Sequence, residues 1–212
     1  MTRYAQQERH ALSDSLLALG PDAPTLDDPW LARDLAAHIV IRDGRPDLAL
    51  GMFVPALKGR LDAGMRSYAA RDYPSLAQQV RSGPPAWSPV RIPAVDEAAN
   101  LGEFFIHHED LLRGAPDFTP RTIDAGLEAA LWKGLRTMSR LFLGKAPVGV
   151  ELVAPGYGHL EAKQVSGAET AIITGAPGEL MLFVSGRQRV ADVALSGPLA
   201  AQDAIRGAAL GG

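Results

Sequence analysis

The chain has no cysteine. Disulfides and thiolate ligands are therefore excluded: a metal must be held by histidine and carboxylate, and thiol chemistry needs a thiol from outside. No apolar run approaches the length of a membrane-spanning helix. Neither charge is in large excess. With 21 Lys and Arg against 24 Asp and Glu, the formal net charge is −3, and no basic field exists to attract nucleic acid. The N-terminal stretch MTRYAQQERHALSD is charged and lacks the apolar core of a signal peptide, so the cytoplasm is the expected location. What remains is ordinary globular composition, 47% apolar and 21% charged over 212 residues, enough for one large domain or two small ones. The sequence carries no signal for oligomeric state.

Helical periodicity dominates up to Gly144. Residues 2–19 read as a helix with Leu12, Leu16 and Leu19 on one side, closed by Gly20-Pro21. The next helix is expected to start with Asp28 as cap and Pro29 in its first turn, and to run to about Arg42. Helical stretches are expected over about 47–70, bent at Pro55, and then over 74–81, 95–113 and 120–142, with the turn-rich SGPPAWSPVRIP between. After Gly144 the apolar period shortens to two. PVGVELVAP and LEAKQV, joined by GYGH, read as a hairpin, and TAIIT as a third strand. A short helix over 177–185, a strand in VADVALSG and a closing helix over 198–210 complete the pattern. An α+β protein is expected, with a helical domain over 1–144 and a small α/β domain over 145–212.

Three polar residues on helical stretches carry the chemistry. Glu103 and His107 stand four apart in ANLGEFFIHHEDLLRG, one turn apart on one helix face. His38 falls on the stripe Leu31, Leu35, His38 of the second helix, pointing where a core should be. Two imidazoles and a carboxylate can hold a divalent ion by one face, and they suit catalytic zinc or non-haem iron(II). The bland alternative is a solvated Glu–His pair and a hydrogen-bonded core histidine. The apolar neighbours Leu101, Phe104, Phe105, Ile106 and Leu111 weigh against it, because burying such groups without a shared cation is costly. Asp110, three residues beyond His107, can orient its ring through the second nitrogen; a surface acid is the alternative. His108 points about 100° away from His107 on an ideal helix and is not expected to bind the same ion. His10 and His159 read as surface or packing residues. Arg187 and Arg189 follow the Gly186 turn and can meet an anionic group on a substrate. Gly175, Gly178 and Gly186 do not form a phosphate-cradling fingerprint and read as turn and packing glycines.

Together these segments resemble the actinobacterial mycothiol-dependent maleylpyruvate isomerase family, within the wider DinB-like metal-binding proteins. The segment from Trp30 to His38, WLARDLAAH, is similar to the family's second-helix segment ending in a ligand histidine. Glu103-x-x-x-His107-x-x-Asp110 is similar to the segment supplying the other two ligands. TGAPGELMLFVSGRQ, residues 174–188, resembles a segment of the family's small C-terminal domain. The chain is expected to be shorter than the isomerase itself, and it looks closer to a subgroup known mainly as metal-binding proteins. The resemblance implies a DinB-like antiparallel four-helix bundle with a sterol-carrier-like α/β domain. It also implies a divalent metal, zinc, held by His38, Glu103 and His107, and mycothiol or a related small thiol as co-substrate. Asp110 and Arg187 are the candidates for catalytic roles. In that family, adding and expelling a thiol permits rotation about a cis double bond. Two rival readings remain at this point. One is a non-enzymatic protein with a structural metal and an apolar ligand in the second domain; the other is an iron(II) oxygenase, which the helical pattern disfavours.

Overall fold

The structure, a computed structural model, describes residues 3–211. It divides into two compact units, Met1–Pro120 and Arg121–Gly212. The described residues form a mixed α+β protein in which the four-stranded sheet lies wholly in the second unit. No described helix is long and apolar enough to cross a membrane.

The first unit holds α1 (Tyr4–Leu19), α2 (Ala32–Gly44), α3 (Pro46–Ala49), α4 (Lys58–Ala69), α5 (Tyr73–Ser82) and α6 (Pro93–Leu112). α1 packs along α6 and α5, and α2 packs against α4 and α5. Leu12, Leu16, Leu35, Ile39, Leu76, Phe104 and Phe105 are fully buried between them. Leu19, expected on the inner side of α1, is instead 51% exposed. The inward stripe continues upstream through Glu8 and Arg9, both buried. These polar groups are tolerated because each has a partner: Arg9 pairs with Asp96 at 2.6 Å, and Glu8 meets His108 at 3.2 Å.

Two helix boundaries differ from expectation for local reasons. α2 begins at Ala32, not beside Asp28 and Pro29, because Pro24 and Leu31 form a β-bridge that keeps Leu31 extended. The Asp34 carboxylate then accepts the Leu31 N–H at 3.0 Å, filling the capping role expected of Asp28. The stretch 47–70 is broken as well. Single 3-10 turns at Leu50–Met52 and Pro55–Leu57 separate α3 from α4, so Pro55 opens a new turn and does not bend a continuous helix.

The second unit opens with α7 (Ala125–Phe142) and continues through β1 (Gly149–Ala154), β2 (Gly158–Lys163), β3 (Thr170–Thr174), α8 (Pro177–Val184), β4 (Ala194–Ser196) and α9 (Leu199–Arg206). The strand order is β2-β1-β3-β4. β1 and β2 form the expected antiparallel hairpin, β3 runs parallel to β1, and β4 pairs antiparallel to β3. Val150, Leu152, Ala171 and Ile173 alternate with less buried neighbours, and Leu152 stands beside Ile173 in the register. The division between units falls after Pro120 and not near 144, because α7 packs on α8 and β2. α7 starts at Ala125, where the Asp124 carboxylate accepts the N–H groups of Gly126 and Leu127 at 2.9 and 3.1 Å. At its other end Lys163 of β2 donates to the carbonyls of Leu143 and Gly144 at 2.9 and 2.8 Å.

α8 has no capping side chain of its own at Ala176. Its Gly178 N–H donates instead to the buried Glu128 carboxylate of α7, at 2.8 Å. Replacing Glu128 with Ala should cost about 1–2 kcal/mol of stability in the second unit. Urea unfolding, with hydrogen exchange at the α8 amides, reads this loss; an unchanged midpoint and unchanged α8 protection would refute the capping role.

Candidate metal centre

α6 carries an unusual run for a helix interior: His107, His108, Glu109 and Asp110 are four consecutive buried polar residues. His107 and Asp110, three apart, share a face, whereas His108 and Glu109 point elsewhere and need partners of their own. His108 is held by α1, with Nε2 at 2.9 Å from the Ser15 hydroxyl and Nδ1 at 3.2 Å from Glu8 Oε2. Both its ring nitrogens are thereby engaged, in keeping with a packing role. Glu109 accepts from Arg113 Nε at 2.6 Å, one turn on.

His107 is engaged differently. Its Nδ1 lies 3.1 Å from Oδ2 of the fully buried Asp110. A carboxylate there holds the ring proton on Nδ1 and leaves Nε2 as a free lone pair, the arrangement common behind metal-binding histidines. On the Nε2 side stands Glu103, with Oε2 at 3.9 Å. His38 of α2 faces the same ring edge-on, with centroids 5.0 Å apart, and the Trp30 indole lies against His38 at 5.1 Å. The structure thus brings His38, Glu103, His107 and Asp110 into one place. Arg187 and Arg189 lie in the second unit, where Arg187 Nη1 donates to the Ser185 carbonyl at 2.7 Å. His159 is exposed on β2, and His10 is half-buried on α1 with its imidazole pKa lowered by desolvation and by Arg81 and Arg9.

Two residues belong to this place that sequence reading did not single out. Arg42 follows His38 by one turn on α2, and its Nε lies 3.5 Å from Glu103 Oε2. Its Nη1 donates to Asn100 Oδ1 at 2.8 Å and to Asp43 Oδ1 at 3.3 Å. Burial pushes the Asp43 carboxyl above its ordinary range, with Arg42 pulling the other way. The spacing of four from His38 could have exposed Arg42. Asp27 is the second. Asp27, His107 and Asp110 each offer a ligand atom, all within 4.8 Å of one another. Asp27 comes from the loop before α2, which lies on the end of α6 because Leu26 N–H donates to the Asp110 carbonyl at 3.0 Å. That approach needs a residue without a side chain at 114, since a Cβ on Gly114 would collide with the Pro24 carbonyl. No periodic spacing marks a loop acid of this kind.

No protein-family model matches the sequence, and no curated protein matches it. Among solved structures, the chain is similar to mycothiol-dependent maleylpyruvate isomerase, with a TM-score of 0.55 at 12% identity, over 91% of this chain and 90% of that one. A histidine-to-alanine mutant of that isomerase is similar to the same extent, with a TM-score of 0.54 at 13% identity. The chain therefore has the maleylpyruvate isomerase-like fold.

The Asp110 contact makes a prediction that needs no metal. At a pH well above the usual imidazole range, nitrogen NMR of His107 should show the tautomer protonated on Nδ1, and Asp110→Ala should abolish the preference. Protonation on Nε2 in the unaltered protein would contradict the assigned orientation.

Proposed function

We propose that the chain is a divalent-metal protein using a small exogenous thiol of the mycothiol type in an isomerase or transferase reaction. His38, Glu103 and His107 are the metal ligands in this reading, and zinc is the metal. The observation that carries it is His107, backed by a buried carboxylate on Nδ1, faced on Nε2 by Glu103, and met edge-on by the His38 ring. The donor set fits: two imidazole nitrogens and one carboxylate suit a catalytic zinc ion with positions left open. A bound divalent ion supplies Lewis acidity that favours the thiolate form of a thiol at neutral pH. The chain's own groups do the rest. Asp110 keeps the proton on Nδ1 of His107, Arg42 steadies the Glu103 carboxylate, and Trp30 packs against His38 on one side. The thiol must come from outside, because the chain has no cysteine. Arg187 is the candidate to meet an anionic group on the substrate. The solved enzyme of the same fold is mycothiol-dependent by name, which supports the choice of thiol. On this reading the metal-bearing helices form a DinB-like four-helix bundle, the second unit is a sterol-carrier-like domain, and the protein works in the cytoplasm.

Two observations favour alternatives. The Asp27, His107 and Asp110 cluster is a second possible ligand set, which shares His107 with the first. In the second unit a cavity of about 510 Å³ is lined by Phe183, Ala191, Val193 and Leu195 with Arg189 and Arg206, which suits a non-enzymatic carrier of an apolar ligand.

Metal analysis separates the ligand sets. His38→Ala, Glu103→Ala and His107→Ala should each weaken zinc binding at least about tenfold, while Asp27→Ala should leave it within a factor of about two; the reverse pattern would move the ion to the Asp27 side. Calorimetric titration of zinc-loaded protein with mycothiol should show binding with proton release that disappears in His38→Ala. Absence of thiol binding by the zinc-loaded protein would leave the carrier reading.

A further inference from the structure

A cavity of about 220 Å³ in the first unit has a different character from the candidate metal centre. It lies where the start of α1, the turn after α5 and the start of α6 meet, and three arginines line it: Arg3, Arg9 and Arg91. Arg9 is buried, with its guanidinium 4.8 Å from the Phe104 ring centroid and Nη2 at 2.6 Å from Asp96 Oδ1. Its buried Nε has no acceptor. The turn closes tightly on this group: a Cβ on Gly83, whose φ is +71°, would lie 2.5 Å from Arg9 Nη1. Glycine is needed there both for the backbone conformation and for the approach.

The charges that line the cavity are unevenly spent. Asp96 is taken by Arg9 and by the Asn100 side-chain N–H at 2.8 Å. The Glu97 carboxylate accepts the Ala5 N–H at 3.1 Å in the first turn of α1. Arg91 uses Nε to donate to the Pro84 carbonyl at 2.9 Å, which fixes its fork. Among the described residues, neither Arg91 nor Arg3 has a carboxylate within ion-pair distance. The lining therefore holds three guanidiniums and two carboxylates, an excess of one positive charge, and the two guanidiniums outside any ion pair belong to the exposed Arg3 and Arg91, while Arg9 is buried.

We propose that this cavity binds a phosphate group, either free phosphate or the phosphate of a small monoester. Guanidinium forks match the oxygen spacing of phosphate and bind it through charge-assisted hydrogen bonds. Guanidinium forks from two segments, the start of α1 and the turn before α6, suit a tetrahedral anion with oxygens on every side, whereas a carboxylate is satisfied by a single fork. The volume exceeds what phosphate alone fills, since each water in liquid occupies roughly 30 Å³, and so admits a short organic portion.

Calorimetric titration of the full chain at low ionic strength tests this, with inorganic phosphate and with glycerol 3-phosphate as probes. Saturable binding is expected, weakened about tenfold by Arg91→Gln and by Arg3→Gln, and unchanged by Arg136→Gln on the exposed side of α7. Arg3 and Arg91 are exposed, so these variants retain the fold, which circular dichroism verifies. Amide shifts at Ala5, Gly83 and Glu97 should follow the titration. Tighter binding of the monoester identifies an organic phosphate as the ligand, and equal binding identifies phosphate itself. No saturable binding of either probe up to about 10 mM, or binding that both arginine variants leave intact, would overturn the proposal. None of these outcomes depends on the metal ligands.

Discussion

Four adjacent polar side chains buried on one helix are the constraint that organises the first unit. A helix turns by about 100° per residue, so His107 and Asp110 share one face while His108 and Glu109 point elsewhere, and each group left unsatisfied would cost several kcal/mol. α1 supplies Ser15 and Glu8 for His108, Arg113 answers Glu109, and Asp110 turns back to His107. The loop before α2 is drawn down by its bond to the Asp110 carbonyl. Two separate pieces of chain, α1 and the loop before α2, thus meet the polar groups of a single turn of α6. His107 is the member of the run whose free nitrogen faces a carboxylate and whose ring meets another imidazole.

Much of this site was legible as spacing. Glu103, His107 and Asp110 are one and nearly two turns apart, and helical geometry alone puts them on one face. His38 was legible because its stripe pointed inward. What spacing could not carry was anything decided by the approach of a second element. Asp27 reaches the site through a loop held by a glycine contact at Gly114, and Arg42 matters only because Glu103 lies across from it. The angle set His108 apart from His107, but the Ser15 and Glu8 contacts that explain its burial join residues 93 and 100 positions apart.

The fold shows the same division between local and distant causes. Period-two alternation located β1, β2 and β3 closely, and the GYGH turn marked the hairpin. The parallel pairing of β3 with β1 has no local signature, since it depends on which side of β1 the returning chain falls. Helix starts were read from cap chemistry, and the misreading at Asp28 arose because the bridge between Pro24 and Leu31 overrides it. The change from helical to strand period was correctly seen at 144, but period identifies the type of an element and says nothing of what it packs against.

α7 makes that distinction matter for how such a protein can be inherited. Tyr157 donates to the Ala125 carbonyl at 3.4 Å near one end, Lys163 caps the other, and Glu128 in the first turn caps the start of α8. The helix reads as a continuation of the all-helical region, yet these polar contacts are to α8 and to the β1–β2 hairpin. A recombination event that broke the gene where the pattern changes would strand a lysine without its carbonyls and a helix without its cap. The portable module is therefore longer than the strands suggest, and its natural seam lies in the polar stretch between Pro120 and Asp124.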